Sequence, residues 1–253
     1  MLSVRVIPCL LLRNRGLVKT IQFQDAKYVG DPVNTVRIYN EQEVDELVFL
    51  DITSTRENKP VSLDVIEEIA GECYMPVTYG GGIHSIEQMS EIFSVGVEKV
   101  VINSAAIQAP DLITEAASRF GSQSIVVSID AKRRFLGGYE VYSHGGTQRT
   151  RLSPVDHALA MAEAGAGELL VTSINRDGTM QGYDLELIRQ ITEAVTIPVI
   201  ACGGAGSVTD LGRAVHEAGA SAVAAGSLVI YQGTNRAVLI NFPSRDELAA
   251  AFA

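Results

Sequence analysis

An α/β chain closed as a (β/α)8 TIM barrel is predicted by three observations. Short β-branched runs alternate with amphipathic stretches eight times along the chain. The runs are apolar through their middles, as strands buried on both faces are, with polar residues at their ends. The pattern also recurs after about 120 residues, half of the 253-residue chain, as expected for two fused half-barrels. A doubly wound sheet fits the alternation but not the half-chain repeat.

The apolar runs place strands at Val4–Leu10, Leu47–Ile52, Pro76–Tyr79, Lys99–Asn103, Ser124–Asp130, Glu168–Ser173, Pro198–Cys202 and Ala222–Ala225. The amphipathic stretches place helices near Val33–Val44, Leu63–Cys73, Ser85–Val95, Asp111–Arg119, Pro154–Ala164, Leu185–Ala194, Val208–Ala218 and Arg245–Phe252. No linker or low-complexity segment interrupts them, so residues 1–253 are expected to form a single barrel domain. The repeat is visible where Glu46–Asp51 parallels Glu168–Ser173 and where Asn103-Ser104 parallels Gly226-Ser227. Two connections are too long for ordinary turns, Leu11 to Asp31 and Ala131 to Ser153. Both follow strands, so both are expected as loops, lid-like, on the C-terminal face where barrel active sites lie.

Composition narrows the functional classes. The formal net charge of −10 argues against a nucleic-acid binder. No apolar run approaches the roughly 18–20 residues that span a bilayer, and Met1–Arg5 lacks the features of a signal peptide. The three cysteines, Cys9, Cys73 and Cys202, are scattered without metal-type spacing, which fits a reduced, cytoplasmic compartment. The histidines show no metal spacing either, and no metal or cofactor is expected. His157 and His216 fall on outer helices and are expected at the surface; Cys9 and Cys202, within strands, are expected as small core residues.

The residue pattern points to a ligand with a phosphate at each end. Gly80-Gly81-Gly82 and Gly203-Gly204-Ala205-Gly206 each follow a strand and open a helix, where backbone N–H groups favour an anion. Asn103-Ser104 and Gly226-Ser227 close the two cradles after the next strands. Tight strand–helix turns would also need such glycines, but two matched copies favour phosphate sites. Asp130 ends the fifth strand, where a carboxylate faces the mouth and can move protons; otherwise it is a cap or pairs with Lys132. Opposite it, where a second acid is expected after the first strand, stands Leu11. Asp51 is either catalytic or holds Lys19 or a loop, and Asp177-Gly178 reads as a turn at the mouth. Lys19, in the first long loop, is placed as a mobile lysine closing over the phosphates, the alternative being a solvated surface group. Arg5, Glu46, Lys99 and Glu168 stand at the starts of strands one, two, four and six and gather at the N-terminal face, either as a stability plug or as a gate across the barrel axis.

These residues together resemble the cyclase subunit of imidazole glycerol phosphate synthase over nearly the full length. The resemblance rests on segments such as Arg5–Leu10, Gly30–Val33, Asp45–Thr53, Gly80–Ile83, Phe120–Gln123, Ile129–Lys132, Thr172–Ile174, Arg176–Thr179 and Gly203–Gly206. It implies a heterodimer with a glutaminase subunit docked on the N-terminal face, with Glu98 helping to dock it. Ammonia would cross the barrel to a bis-phosphorylated nucleotide at the other face, which becomes imidazole glycerol phosphate and an aminoimidazole carboxamide nucleotide. The family's gate matches Arg5, Glu46, Lys99 and Glu168. Its phosphate sites match Gly82, Asn103, Gly204 and Ser227, with Ser104, Thr172, Gly178, Gly203 and Gly226 beside them, and its loop lysine matches Lys19. One catalytic aspartate matches Asp130, whereas the other matches Leu11: the family reads Cys-Leu-Asp where this chain reads Cys9-Leu10-Leu11. The family also has Gly at Thr20 and Ser at Cys202. Loss of the acid with the gate retained, and the tail Arg236–Arg245, resemble a paralogous group that works with sugar amidotransferases in surface-saccharide synthesis.

Three functions follow as alternatives. The chain is an ammonia-conducting amidotransferase subunit with weak or lost cyclase activity, an active histidine-pathway cyclase in which Asp51 or Asp177 covers for Leu11, or a non-catalytic activator of its glutaminase.

Overall fold

Eight parallel strands close on themselves in a computed structural model that describes residues 4–233 and 235–253. The strands are β1 (Arg5–Arg13), β2 (Leu47–Asp51), β3 (Val77–Gly80), β4 (Lys99–Ile102), β5 (Ile125–Arg133), β6 (Glu168–Ser173), β7 (Val199–Cys202) and β8 (Ala222–Ala225). Each pairs in parallel with the next, and β8 returns to β1 with Arg5 beside Ala222 and Pro8 beside Ala225. Eight helices cover the outside: α1 (Pro32–Glu41), α2 (Leu63–Glu72), α3 (Ile86–Ser94), α4 (Asp111–Phe120), α5 (Pro154–Glu163), α6 (Leu185–Thr192), α7 (Val208–His216) and α8 (Arg245–Phe252). Local chemistry starts them where they start. Asp31 accepts the Asn34 N–H at 2.9 Å with Pro32 at the first helical position, and Ser207 and Ser244 form reciprocal capping boxes with Asp210 and Glu247.

Side chains alternate along a strand, and here both sides are buried. On β1, Val6, Leu10 and Leu12 join the large core under the helices, while Ile7 and Cys9 join a second core inside the barrel. That inner core also contains Val48, Val101, Val126, Leu170, Ile200 and Ala224, and Leu50 packs against it. It separates a charged floor at the strand N-termini from an open mouth at their C-termini. The expected core placement of Cys9 and Cys202 is observed.

The structure corrects the reading of the two long connections. Neither is a plain loop. Gly16–Ile21 turns back antiparallel on the end of β1, pairing Leu11 with Val18, and Gln24–Gly30 pairs with it in turn. Tyr139–Ser143 turns back on β5, pairing Asp130 with Tyr142, and Gln148–Arg149 extends that ribbon. An antiparallel partner lets β1 and β5 run three residues beyond the expected ends at Leu10 and Asp130. Leu11 therefore sits within β1 rather than after it, and Asp130 within β5 rather than at its end. The tight turn into the first ribbon uses Asn14 in the left-handed region (φ 57°). The signal was present in Leu17-Val18-Lys19-Thr20-Ile21, a β-branched run that reads as a strand.

His157 is a second correction. It lies on α5 but is buried, 5% exposed, because α5 packs against β5 and the Tyr139–Ser143 strand. Its Nε2 has no hydrogen-bond partner. Desolvation pushes the imidazole down to about 4. The unfolded chain takes up this proton near pH 6.5, the folded one only near 4. Stability from His157 is thus complete above pH 6.5 and is lost as pH falls toward 4. Urea unfolding at pH 7.5 and pH 5 should show an acid loss about 1–2 kcal/mol larger in the wild type than in His157→Leu. Equal losses in both would contradict this. His216, by contrast, is exposed as expected.

Candidate active site

The mouth holds a cavity of about 380 Å³, and apart from Gly206 the mouth residues singled out from the sequence line it. Leu11, Asp51, Asp130, Thr172 and Cys202 reach it from strands; Gly82, Asn103, Gly204 and Ser227 stand where strands give way to turns; Lys19, Asp177 and Gly178 come from above.

The two cradles lie at successive turns of each half-barrel. The first turn holds Gly81 and Gly82 at φ 121° and 74°, and a Cβ on Gly81 would lie 2.4 Å from the Asp51 carbonyl oxygen, so only glycine fits. The next turn is the short helix Ser104–Gln108, with Asn103 at its cap and Ser104 Oγ accepting the His144 N–H at 3.0 Å. In the other half, Gly203 and Gly204 take φ 83° and 118°, and the short helix Ser227–Ile230 begins after Gly226. Ser227 Oγ is buried without a hydrogen-bond partner. A buried hydroxyl left unpaired at the edge of a cavity is free to donate to a group that enters it. Crystals grown in sulfate or phosphate should carry an anion at both cradles, and density at neither would contradict the double-phosphate reading.

Between the cradles, Asp130 accepts from Ser128 Oγ at 3.2 Å and from Asn103 Nδ2 at 3.3 Å. Desolvation pushes its carboxyl up to about 7, the nearby Asp177 charge adds to the rise, and hydroxyl bonds from Ser128 and Thr172 oppose it. An acid near 7 can both give and take a proton at neutral pH. It does not pair with Lys132, whose ammonium stands 5.9 Å from the Tyr142 ring centroid. Leu11 presents an apolar side chain to the same cavity, next to Leu50 on β2.

Neither of the other two aspartates is free. Asp51 Oδ1 takes the Thr53 N–H and hydroxyl and the Ser54 N–H, and its Oδ2 takes the Ser54 hydroxyl. It holds the turn under the first cradle, not Lys19. Asp177 Oδ1 accepts from Lys19 Nζ at 2.8 Å, and its Oδ2 accepts from the Thr20 hydroxyl at 2.7 Å. Lys19 is therefore neither mobile nor solvated. It sits in a strand, 5% exposed, with its chain against Gly226 of the second cradle.

At the opposite face the four charges close a ring. Arg5 donates to Glu46 at 2.5 Å and to Glu168 at 2.8 Å; Lys99 lies 3.1 Å from Glu46 and 3.3 Å from Glu168. The Thr78 hydroxyl donates to Glu46 Oε1 at 2.7 Å. Glu98 is exposed beside the ring and accepts the Val77 N–H at 2.6 Å.

Sequence reasoning missed the outer rim. Arg56, Lys59, His84 and His144 border the cavity near the first cradle, and Phe23 packs against Gly146 across the mouth. Their positions depend on which ribbon tip meets which turn, and no local pattern encodes that.

Comparison with known proteins agrees with this architecture. Residues 5–236 match the model of the family described as Histidine biosynthesis protein. The chain is 52% identical, over 98% of its length and 99% of the relative's, to a Pseudomonas aeruginosa protein provisionally named imidazole glycerol phosphate synthase subunit hisF2. It is 49% identical, over the whole of both chains, to a Leptospira interrogans protein provisionally named the HisF subunit of that synthase. It is also 49% identical, over 91% of the chain and 92% of the relative, to the imidazole glycerol phosphate synthase subunit HisF of Alkaliphilus metalliredigens. With a closed barrel, matched glycine turns in both halves and these relatives over nearly its whole length, the chain belongs to the histidine biosynthesis protein family as a HisF-like barrel.

Proposed function

We propose that this HisF-like chain, one barrel domain over residues 1–253, is the ammonia-receiving subunit of a cytoplasmic glutamine amidotransferase, with a weak or absent cyclase step. A glutaminase subunit docks on the N-terminal face as a heterodimer, beside Glu98. Ammonia enters through the Arg5–Glu46–Lys99–Glu168 ring, crosses the inner apolar core and emerges at the mouth. There a phosphorylated ligand spans the two cradles, and the nitrogen is used in amidation of a surface saccharide by a sugar amidotransferase.

The observation that carries this reading is the contrast between the two ends. The charged ring is complete, with each carboxylate contacted by both cations. The mouth has one proton-moving acid, Asp130, where cyclisation calls for two, and Asp51 and Asp177 are fully engaged elsewhere. The ring is partly buried, with Glu46 covered and Arg5, Lys99 and Glu168 half-buried; ion pairs removed from water in this way add little net stability, so its completeness favours a passage over a plug. The same contrast weighs against the active-cyclase alternative.

The test is reconstitution of the chain with the glutaminase encoded beside it. With labelled glutamine, nitrogen should reach a saccharide acceptor when the sugar amidotransferase is present. Formation of imidazole glycerol phosphate at a rate that supports histidine synthesis would overturn the proposal. Stimulation of glutamine hydrolysis with no nitrogen delivered to any acceptor would select the activator role instead.

A further inference from the structure

We propose that Arg236 is a positioning residue that straps the first ribbon over the mouth and so sets the Lys19 ammonium beside the second cradle; the proposal rests on reading that cradle as a phosphate site. After β8, the chain forms the short helix Ser227–Ile230 and then a two-stranded arm in which Tyr231 pairs with Val238 and Gln232 with Ala237. The arm folds back on the short helix, with Leu239 N–H bonded to the Ile230 carbonyl and Asn241 N–H to the Val229 carbonyl. It is therefore anchored to the element that carries Ser227.

From this arm, Arg236 reaches the turn that follows β6. Its Nη1 donates to the Gly178 carbonyl at 3.0 Å and its Nη2 to the Thr179 carbonyl at 3.2 Å. The planar guanidinium grips two consecutive carbonyls, which a lysine head cannot do in the same way. The gripped turn in turn holds the ribbon. Gln22 N–H donates to the Asp177 carbonyl at 2.9 Å, Gln22 Nε2 to the Asn175 carbonyl at 3.0 Å, and Asp177 carries the Lys19 and Thr20 bonds. Gly178 lies so close to the ribbon that a Cβ there would fall 2.1 Å from the Thr20 carbonyl oxygen. The contacts form a closed circuit. It runs from Ser227 through the arm to Arg236, through the 175–179 turn to Asp177, and through Lys19 back to Gly226.

The base of the ribbon is paired with β1 through Leu17 and Val18, whereas its tip, Lys19 to Phe23, is held by the 175–179 turn and so depends on the stiffness of that turn. Arg236 supplies stiffness from outside the turn without touching a ligand. Its loss should free the ribbon locally while the barrel stays folded, because local opening draws on few contacts.

Backbone hydrogen exchange on the full, unliganded chain tests this. In Arg236→Ala, segments 16–24 and 175–179 should exchange about tenfold faster than in the wild type, a factor typical of coupling between distant groups. Residues 86–94 of α3 and the melting temperature should not change, whereas a general structural defect would move both. Arg236→Lys, with one compact donor head, should fall between. If Arg236→Ala does not fold, Arg236→Gln, which keeps bulk and one donor group, should still speed exchange in 16–24. Exchange in 16–24 unchanged in a folded variant overturns the strap. Inorganic phosphate, added separately, reports on the cradle: failure to protect the wild-type second cradle would remove the phosphate reading while exchange still decides the strap.

Discussion

Given ammonia and the bis-phosphorylated nucleotide, the chain should form cyclised product at least about 100-fold more slowly than a homologue with aspartate at position 11, because losing one general acid or base costs about 10²–10⁴ in rate. Leu11 sits in β1 with its neighbours fixed on both sides, Val18 on the ribbon and Leu50 on β2. Asp51 is bound to the Thr53–Ser54 turn and Asp177 to Lys19 and Thr20, so recruiting either would break a set of buried bonds. Asp130, raised to about 7, retains the ability to act alone. Leu11→Asp should recover part of the lost rate, limited by the Thr20–Asp177 bond that holds the ribbon. A wild-type rate within tenfold of the aspartate-bearing homologue would refute the argument, since it would mean that a leucine at this position costs the reaction almost nothing.

Removal of a cation from the floor is expected to uncouple the complex. In Arg5→Ala or Lys99→Ala, glutamine should still be hydrolysed by the partner while nitrogen transfer to the acceptor falls. The reason is geometric. Each cation bridges Glu46 and Glu168, so losing one leaves both carboxylates on a single partner and lets water into the axis. The same change should cost about 2 kcal/mol of stability, the scale of hydrogen bonds to charged groups. Supplying ammonium salt directly should restore transfer in both variants, because ammonia from solution reaches the open mouth without crossing the ring. Unchanged transfer from glutamine in both variants, or no binding of the chain to its glutaminase, would leave the ring as a structural plug.

The barrel was legible in the sequence because its determinants are local and repeated. Apolar runs such as Glu168–Ser173 and Ala222–Ala225 are as long as the strands they form, and helix starts are marked by caps such as Ser207 and Ser244. The two glycine turns were legible for the same reason: a positive-φ turn after a strand demands glycine, and the demand is written twice. The ring was legible because strand starts in a closed barrel share one face.

What the sequence determined by itself, then, was everything that follows from periodicity and from residues whose backbone needs are unique: eight strand–helix units, two glycine turns and four charges at one end. The tertiary structure decided what depends on contact between segments far apart in the chain. It turned the expected loops into ribbons that lengthen β1 and β5, because a hairpin partner is chosen by register and not by composition. It buried His157, because an outer helix has an inner face whose identity depends on what it packs against. It also fixed Lys19 to Asp177, 158 residues away, and brought Arg236 to the same turn. A charged side chain declares its sign in the sequence, but only the fold decides which opposite charge or carbonyl it meets, because Coulomb and hydrogen-bond energies depend on separations of a few ångströms that local patterns do not set.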